Sequence, residues 1–408
     1  MRRSARSSSR LSVRIRYLGV AAAAIFSIVA AASALDRAGG EDDPVIAAMV
    51  PDALAIRSLD TRLTPQLAQT QPRDAERMAR MLIERAPIDS TGPAMLGAAR
   101  MAMGERPKVL EAFTVSAKMG WRELSTQLFW IDRALQLGDV PNAAMRFDVI
   151  LRQHADLLTY TPLIEPWETT PELRAALFEK MRQHPLWLGA YAREGWRTKG
   201  DVLQARGQML VDLGRVGITL GCADVKSMTA ALANSGNALL GRDVWALHCP
   251  LAGDKLVGDP GFATLADTAN ADSPFAWTWR GNGDVTYEMR KGDKNVAGGL
   301  LIHNAAPVAM PILRQLLVLK PGTYRASYRL TGGAGHQDTS PLQLAIGCDQ
   351  DSRQPLDGQR PLGNGRWEVD FRIDGQCPAQ WLNVILHPTL EATQFGDLAI
   401  VEAGSAAK

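Results

Sequence analysis

The sequence predicts a multidomain α + β protein: an N-terminal transmembrane helix, an α-helical repeat-like solenoid and a C-terminal antiparallel β-sandwich. Three observations carry that expectation. An uncharged apolar run extends from Tyr17 to Leu35, residue types recur 34 positions apart between about 70 and 155, and beyond residue 275 the apolar period changes from 3.6 to 2. In order along the chain this gives a basic cytoplasmic segment (1–16), the span (17–35), a linker (36–54), a helical domain (55–249), a second linker (250–274), the sandwich (275–403) and a tail (404–408).

The apolar run approaches the roughly 20 residues that cross a bilayer as a helix. Six arginines precede it (Arg2, Arg3, Arg6, Arg10, Arg14, Arg16) and no acid does. Arginine stays on the cytoplasmic side, so the chain is expected in a bacterial inner membrane, single-pass, with its bulk in the periplasm. The run exceeds the about 7–15 residues of a signal-peptide core, which favours a retained anchor. Ala32-Ser33-Ala34 nonetheless has the small-residue pattern of a cleavage site, so release into the periplasm after Ala34 is the alternative. The Arg2-Arg3 pair lacks the context of a twin-arginine signal, and no lipobox cysteine follows the run.

Beyond the leader the chain carries 39 basic and 43 acidic residues. Without a basic excess to neutralise phosphates, nucleic acid is excluded as a partner. The four cysteines are Cys222, Cys249, Cys348 and Cys377. In an oxidising compartment an even count suggests two disulfides. Three pairings exist, and Cys222–Cys249 with Cys348–Cys377 is preferred because each bridge stays within one domain.

The helical domain opens with Ala75, Met78, Ala79, Leu82, Ile83 and Ala86 on one face of a helix that Pro87 stops. Gly104 and Gly138, Pro107 and Pro141, Phe113 and Phe147, and Val115 and Val149 are then each 34 residues apart. In both units the glycine suits the left-handed end of a first helix and the proline opens a second. Trp121, Leu124, Leu128, Ile131 and Leu135 are read as the stripe of the second unit's first helix. Farther on, Thr170-Pro171-Glu172 is a helix start, and Asp201–Leu213 and Asp224–Leu240 read as helices ending at Gly214 and Gly241.

In this spacing, and in its small and aromatic positions, the stretch from about 70 to 155, with Gly92–Gly120 and Trp130–Asp156 as its clearest segments, resembles tetratricopeptide repeats. The consensus tryptophan and tyrosine of the first helix are absent, so the repeats are degenerate, and an ordinary helical bundle is the alternative. The resemblance implies a concave surface that binds peptides or other proteins.

In the last third, Val285, Tyr287 and Met289 alternate with polar residues, as do Tyr324, Ala326, Tyr328 and Leu330, and three further runs end at Cys348, Ile373 and Leu386. With 275–280, 296–304, 311–319 and 396–402 about nine strands are expected. The hairpin Leu319-Lys320-Pro321-Gly322-Thr323-Tyr324 resembles those of jelly-roll sandwiches of the carbohydrate-binding-module type. Trp277, Trp279 and Tyr287 lie at strand positions where exposed rings would stack on a sugar, Trp277 and Trp279 sharing one parity; buried core aromatics are the alternative.

Motifs for chemistry are missing. None of the six histidines (His154, His184, His248, His303, His336, His387) stands at a metal-ligand spacing, and there is no Gly-x-Ser-x-Gly, Walker-type or Gly-x-Gly-x-x-Gly pattern. Gly281-Asn282-Gly283-Asp284 reads as a hairpin turn rather than a calcium or phosphate loop. Glu288, Glu368 and Asp370 are the carboxylates that could form a glycosidase pair. No catalytic, cofactor or metal residue is therefore assigned.

The order of anchor, helical repeats and sandwich resembles that of envelope proteins in alphaproteobacterial exopolysaccharide clusters. It implies a non-enzymatic scaffold whose partners are other envelope proteins, held by the repeats, and polysaccharide. A glycan-binding protein acting through the sandwich, and a divergent glycan hydrolase or lyase, are the alternatives.

Overall fold

The 34-residue spacing becomes geometry in the first of the two units into which the chain divides, Met1–Gln153 and His154–Lys408. This computed structural model describes residues 5–40, 43–250, 255–266, 273–290, 298–332 and 339–403. Arg2, Arg3, His336 and the tail 404–408 lie outside the described residues, as does part of the strand expected at 296–304.

Within the first unit, α1 (Ala5–Gly39) contains the apolar run, which is exposed throughout Tyr17–Leu35 except for half-buried Ala32. The helix does not end with the run. Asp36, on its last turns, is buried and accepts the backbone N–H groups of Ile56 (2.9 Å), Arg57 (3.1 Å) and Ser58 (2.9 Å). These are the orphan donors at the start of α3 (Arg57–Arg62), so a carboxylate on α1 caps another helix. α2 (Pro44–Met49), capped by Asp43, packs between them.

Three helices then repeat. α5 (Pro72–Arg85), α7 (Arg106–Met119) and α9 (Val140–Gln153) are each 14 residues long and begin 34 residues apart. Equivalent positions are buried in all three: Ala75, Val109 and Ala143; Ala79, Phe113 and Phe147; Leu82, Ser116 and Ile150. Their preceding partners are α6 (Thr91–Ala102) and α8 (Leu124–Gln136). In the earliest pair that place is divided between α3 and α4 (Pro65–Thr70), which meet at Pro65, a residue with no N–H to continue a helix. The period therefore starts one unit earlier than the four residue pairs indicate.

The turns repeat as closely. Gly104 and Gly138 are left-handed, at φ +77° and +72°. The following residue donates back in each case, Glu105 to the Arg100 carbonyl (3.0 Å) and Asp139 to the Ala134 carbonyl (2.8 Å), closing the same C-terminal motif. Gly97 lets α6 approach α7, since a Cβ there would come within 2.8 Å of the Phe113 ring.

One expected stripe is corrected. Glu123 accepts the N–H groups of Ser125 and Thr126, so α8 starts at Leu124 and Trp121 lies before it. The buried face runs through Gln127, Ile131 and Ala134, while Leu128 is exposed. Trp121 is instead covered by the Arg146 guanidinium, 4.7 Å from its ring centroid, which also donates to Gln127 Oε1 (2.9 Å).

The second unit begins with a 3-10 turn (Ala155–Thr159) and α10 (Thr161–Thr169), α11 (Pro171–Met181), α12 (Leu188–Arg193), α13 (Gly200–Arg215), α14 (Cys222–Asn234) and α15 (Ala238–His248). The single helix expected over Asp224–Leu240 is two. Gly236, at φ +82°, ends α14, and Asn237 donates back to the Leu232 carbonyl (2.9 Å). Gly214 and Gly241 lie inside helices, not at their ends. A Cβ on Gly214 would sit 2.6 Å from that of Leu247, and one on Gly241 within 3.2 Å of the Phe275 ring, so both mark close helix packing. Cys222 and Cys249 are joined, with Cα atoms 4.4 Å apart.

Among the described residues ten antiparallel strands follow: β1 (Thr278–Trp279), β2 (Val285–Arg290), β3 (Gly299–Asn304), β4 (Met310–Leu317), β5 (Gly322–Thr331), β6 (Leu342–Gly347), β7 (Arg360–Gly363), β8 (Arg366–Ile373), β9 (Gln380–Leu386) and β10 (Thr393–Glu402). They form a four-stranded sheet, β1-β4-β9-β6, and a six-stranded sheet, β2-β3-β10-β5-β8-β7, around one shared core. β7 escapes a periodicity search because it is an edge strand, exposed at every position and containing Pro361. The described part of the connector is not a free linker: Val257 and Phe262 lie in the sandwich core. Cys348, just after β6, is joined to Cys377 before β9, with Cα atoms 5.7 Å apart.

Candidate functional site

The three aromatic residues singled out for sugar stacking occupy unequal positions. Trp277 is 1 % exposed, and its Nε1 donates to the Asp259 carbonyl (3.0 Å), fastening the connector to the core. It cannot stack on a ligand from there. Trp279 and Tyr287 are half-buried and cover each other, ring centroids 4.4 Å apart, where edge strands β1 and β2 meet. Gly281 is needed at the following turn because a Cβ would come within 2.5 Å of the Trp279 indole. In that turn Asp284 donates its N–H to Asn282 Oδ1 (3.1 Å), but the expected hairpin is not formed: β1 pairs with β4 and β2 with β3, so the turn carries the chain from one sheet to the other.

The candidate carboxylates do not make an acid pair with Glu288. Glu288 is on β2 and Glu368 and Asp370 are on β8, four strand spacings away in the same sheet. At about 4.8 Å per spacing that is about 19 Å, beyond the roughly 5–10 Å of paired glycosidase carboxylates. Glu368 and Asp370 are instead gripped by two arginines. Arg325 Nε is 2.7 Å from Asp370, and Arg360 reaches Asp370 at 3.0 Å and Glu368 at 2.5 Å. Arg325 and then Arg360 hold the Asp370 carboxyl below its ordinary range, so it stays ionised.

A strongly perturbed cluster exists elsewhere, inside the helices of the second unit. Arg206 and Glu168 are 0 % and 1 % exposed, with Arg206 Nε 2.7 Å from Glu168 Oε1. Arg206 also donates to the Leu158 carbonyl (3.0 Å), and its guanidinium lies 4.5 Å from the Tyr191 ring centroid. Burial pushes the Glu168 carboxyl up, outweighing the attraction of Arg206, and burial likewise raises the Tyr191 hydroxyl. With no surface reaching a substrate, this cluster ties α10, α12 and α13 together. Nothing in the sequence marks it, because its members are separated by 15 to 38 positions.

The open groove is in the helix-pair array. It encloses about 640 Å³ and is lined by the end of α6 (Met101, Gly104), the start of α7 (Arg106, Val109, Leu110) and the outer side of α8 (Phe129, Asp132, Arg133, Gln136). Phe129 forms its floor, stacked on Phe113 at 4.2 Å between centroids and 13° between planes. Met101 and Leu110 are 50 % and 43 % exposed on its flanks. Asp132 accepts a hydrogen bond from Gln136 Nε2 (2.7 Å). Of these residues only Gly104 stands out in the sequence, as a helix end, since a groove arises from three helix surfaces whose relative placement no spacing encodes.

A smaller cleft, about 200 Å³, lies between α15 and β4 in the second unit, where Arg242 pairs with Asp243 at 2.8 Å. Among the described residues no group of three or more His, Cys, Asp and Glu side chains could hold a metal ion.

No family model matches the sequence, and no curated protein matches it. Among solved structures it is similar to a proposed sugar-binding protein from Bacteroides thetaiotaomicron, at 12% identity over 31% of this chain and 87% of that one, with a TM-score of 0.22. A likeness that slight carries no argument about fold or ligand.

Proposed function

We propose that this chain is a non-enzymatic, single-pass protein of a bacterial inner membrane whose helical array, of tetratricopeptide type, holds another component of an exopolysaccharide synthesis or export machine in the periplasm. The observation that carries this reading is the strict 34-residue repetition of α5, α7 and α9, with equivalent buried positions in all three and matching turns before α7 and α9. Stacked helix pairs of this kind bury a continuous core and leave their other faces for binding. Two further features agree with it. The apolar part of α1 is long enough to span a bilayer, and all four cysteines are paired, which suits an oxidising compartment.

The test is site-specific photocrosslinking in native membranes, with the crosslinker at Leu110 in the array groove or at Trp279 at the sandwich edge. Capture of membrane glycosyltransferase or export components from position 110 is the expected result. Capture of glycan from position 279, with no protein from 110, would replace the scaffold reading by glycan binding through the sandwich.

A further inference from the structure

The geometry of the array groove points to a specific kind of occupant: an extended, acidic segment of a partner protein carrying apolar side chains between its carboxylates. The inference rests on the scaffold reading and adds the chemistry by which the partner is held.

Charge is the first argument. Arg106 and Arg133 line the groove, both are exposed, and neither guanidinium has a hydrogen-bond or ion-pair partner among the described residues. Two acids lie nearby. Asp132 is held by Gln136, and Glu105, on the turn before α7, is held by Lys108 at 2.9 Å. Gln136 is neutral and leaves Asp132 its charge, so the lining presents two guanidinium forks against one carboxylate, a net positive charge carried by the group best suited to bidentate capture of carboxylates.

Shape and polarity supply the second. Between the arginines the floor is apolar: Phe129 braced by Phe113, with buried Val109 below and Met101 and Leu110 exposed on either side. An unbranched methionine beside an aromatic floor adapts to apolar side chains of different shape. The volume, about 640 Å³, lies within the roughly 300–1,000 Å³ of ligand sites. A sugar would leave Met101, Leu110 and Phe129 unsatisfied, and an apolar peptide would leave the arginines so. An acidic peptide with interspersed apolar residues matches both.

The floor is also fixed in place. The left-handed Gly104 and the bond from Glu105 to the Arg100 carbonyl set where α7 begins, and so where Arg106 and Leu110 stand against α8. A site that is already formed loses little ordering entropy when occupied.

The test uses the full chain in detergent micelles and three fluorescein-labelled synthetic peptides of equal length: alternating leucine and aspartate, leucine and asparagine, and leucine and lysine. Fluorescence anisotropy is expected to show the aspartate peptide binding roughly tenfold tighter than the asparagine peptide, as two modest charge contacts give, and the preference fading at high salt. In the double variant Arg106→Gln/Arg133→Gln, whose sites are exposed, the two peptides should bind alike while circular dichroism is unchanged. In Leu110→Glu the aspartate peptide should be lost. Equal binding of aspartate and asparagine peptides by the natural chain, or an undiminished preference in the double variant, overturns the inference. Occupation of the groove by a second copy, seen as a dimer that the double variant dissociates, or displacement of the peptide by phosphatidylglycerol, would also overturn it. In all of these cases photocrosslinking from position 110 can still succeed, so the scaffold reading falls or stands separately.

Discussion

Replacing Arg206 by methionine is the perturbation with the largest consequence that the structure supports. The change keeps much of the side-chain volume but removes the guanidinium that neutralises Glu168 at 2.7 Å, satisfies the Leu158 carbonyl at 3.0 Å and faces the Tyr191 ring. Glu168 would remain, 1 % exposed, as a buried carboxyl without a cation. Breaking a buried pair from one side costs about 3–5 kcal/mol. At about 2–4 °C per kcal/mol for a unit of this size, the melting transition of residues 154–408 should fall by roughly 6–20 °C. Trp167 and Trp187, both buried in the same helical region, report that transition by fluorescence. The pH dependence gives a second readout. Burial holds the Glu168 carboxyl above its unfolded value, so its folded form prefers the proton. Such a group favours folding most fully below the unfolded pKa, and the benefit is lost as pH rises through the folded one. Without Arg206 the folded value rises further, and the deficit of the variant should shrink as pH is lowered from 8 towards 5. The double variant Glu168→Leu/Arg206→Met removes both charges and should lie within about 2 kcal/mol of the natural chain. If it is as damaged as the single variant, the argument from an orphaned charge is refuted and lost packing is the cause.

Asp36→Asn should destabilise the junction of α1 and α3 by about 1–2 kcal/mol, the usual value of a helix cap, measured as faster amide exchange at Ile56, Arg57 and Ser58. Burial raises the Asp36 carboxyl, but the N–H donors outweigh it and leave it below its usual range; its contribution is present above the unfolded pKa and lost as pH falls through the folded one. Cys348→Ser/Cys377→Ser opens a loop of 29 residues and should cost about 3–4 kcal/mol on the chain-entropy estimate, read from chemical denaturation of the second unit. His248 is buried with Nε2 2.8 Å from the Leu210 carbonyl, and burial depresses its pKa. Stability should therefore be full above about pH 6.5 and fall as pH drops through the lower folded value. His248→Gln should flatten that slope in a pH series of melting curves.

The sequence alone determined the features that are written in local spacing. A charge-free run bounded by arginines specifies a long apolar helix whatever the rest of the chain does. Glycine and proline at a fixed offset specify matched turns, which is why Gly104 and Gly138 were legible as helix ends. Alternation at period 2 marked five strands, β2, β5, β6, β8 and β9, and the preferred cysteine pairing was the one that keeps each bridge local. Tertiary structure decided whatever depends on which surfaces meet. Trp277 and Trp279 have the same parity, yet one carries the weight of the connector and the other closes an edge. Gly214 and Gly241 look like helix ends, yet both lie inside helices at close packing, Gly214 where a Cβ would meet that of Leu247 and Gly241 where one would press on Thr229, Leu232 and Phe275. The Glu168–Arg206–Tyr191 cluster and the array groove join residues from three helices apiece. Periodicity reports which side of an element is apolar. It does not report what that side packs against, and it is that meeting of surfaces that buries a charge or leaves two arginines facing an open groove.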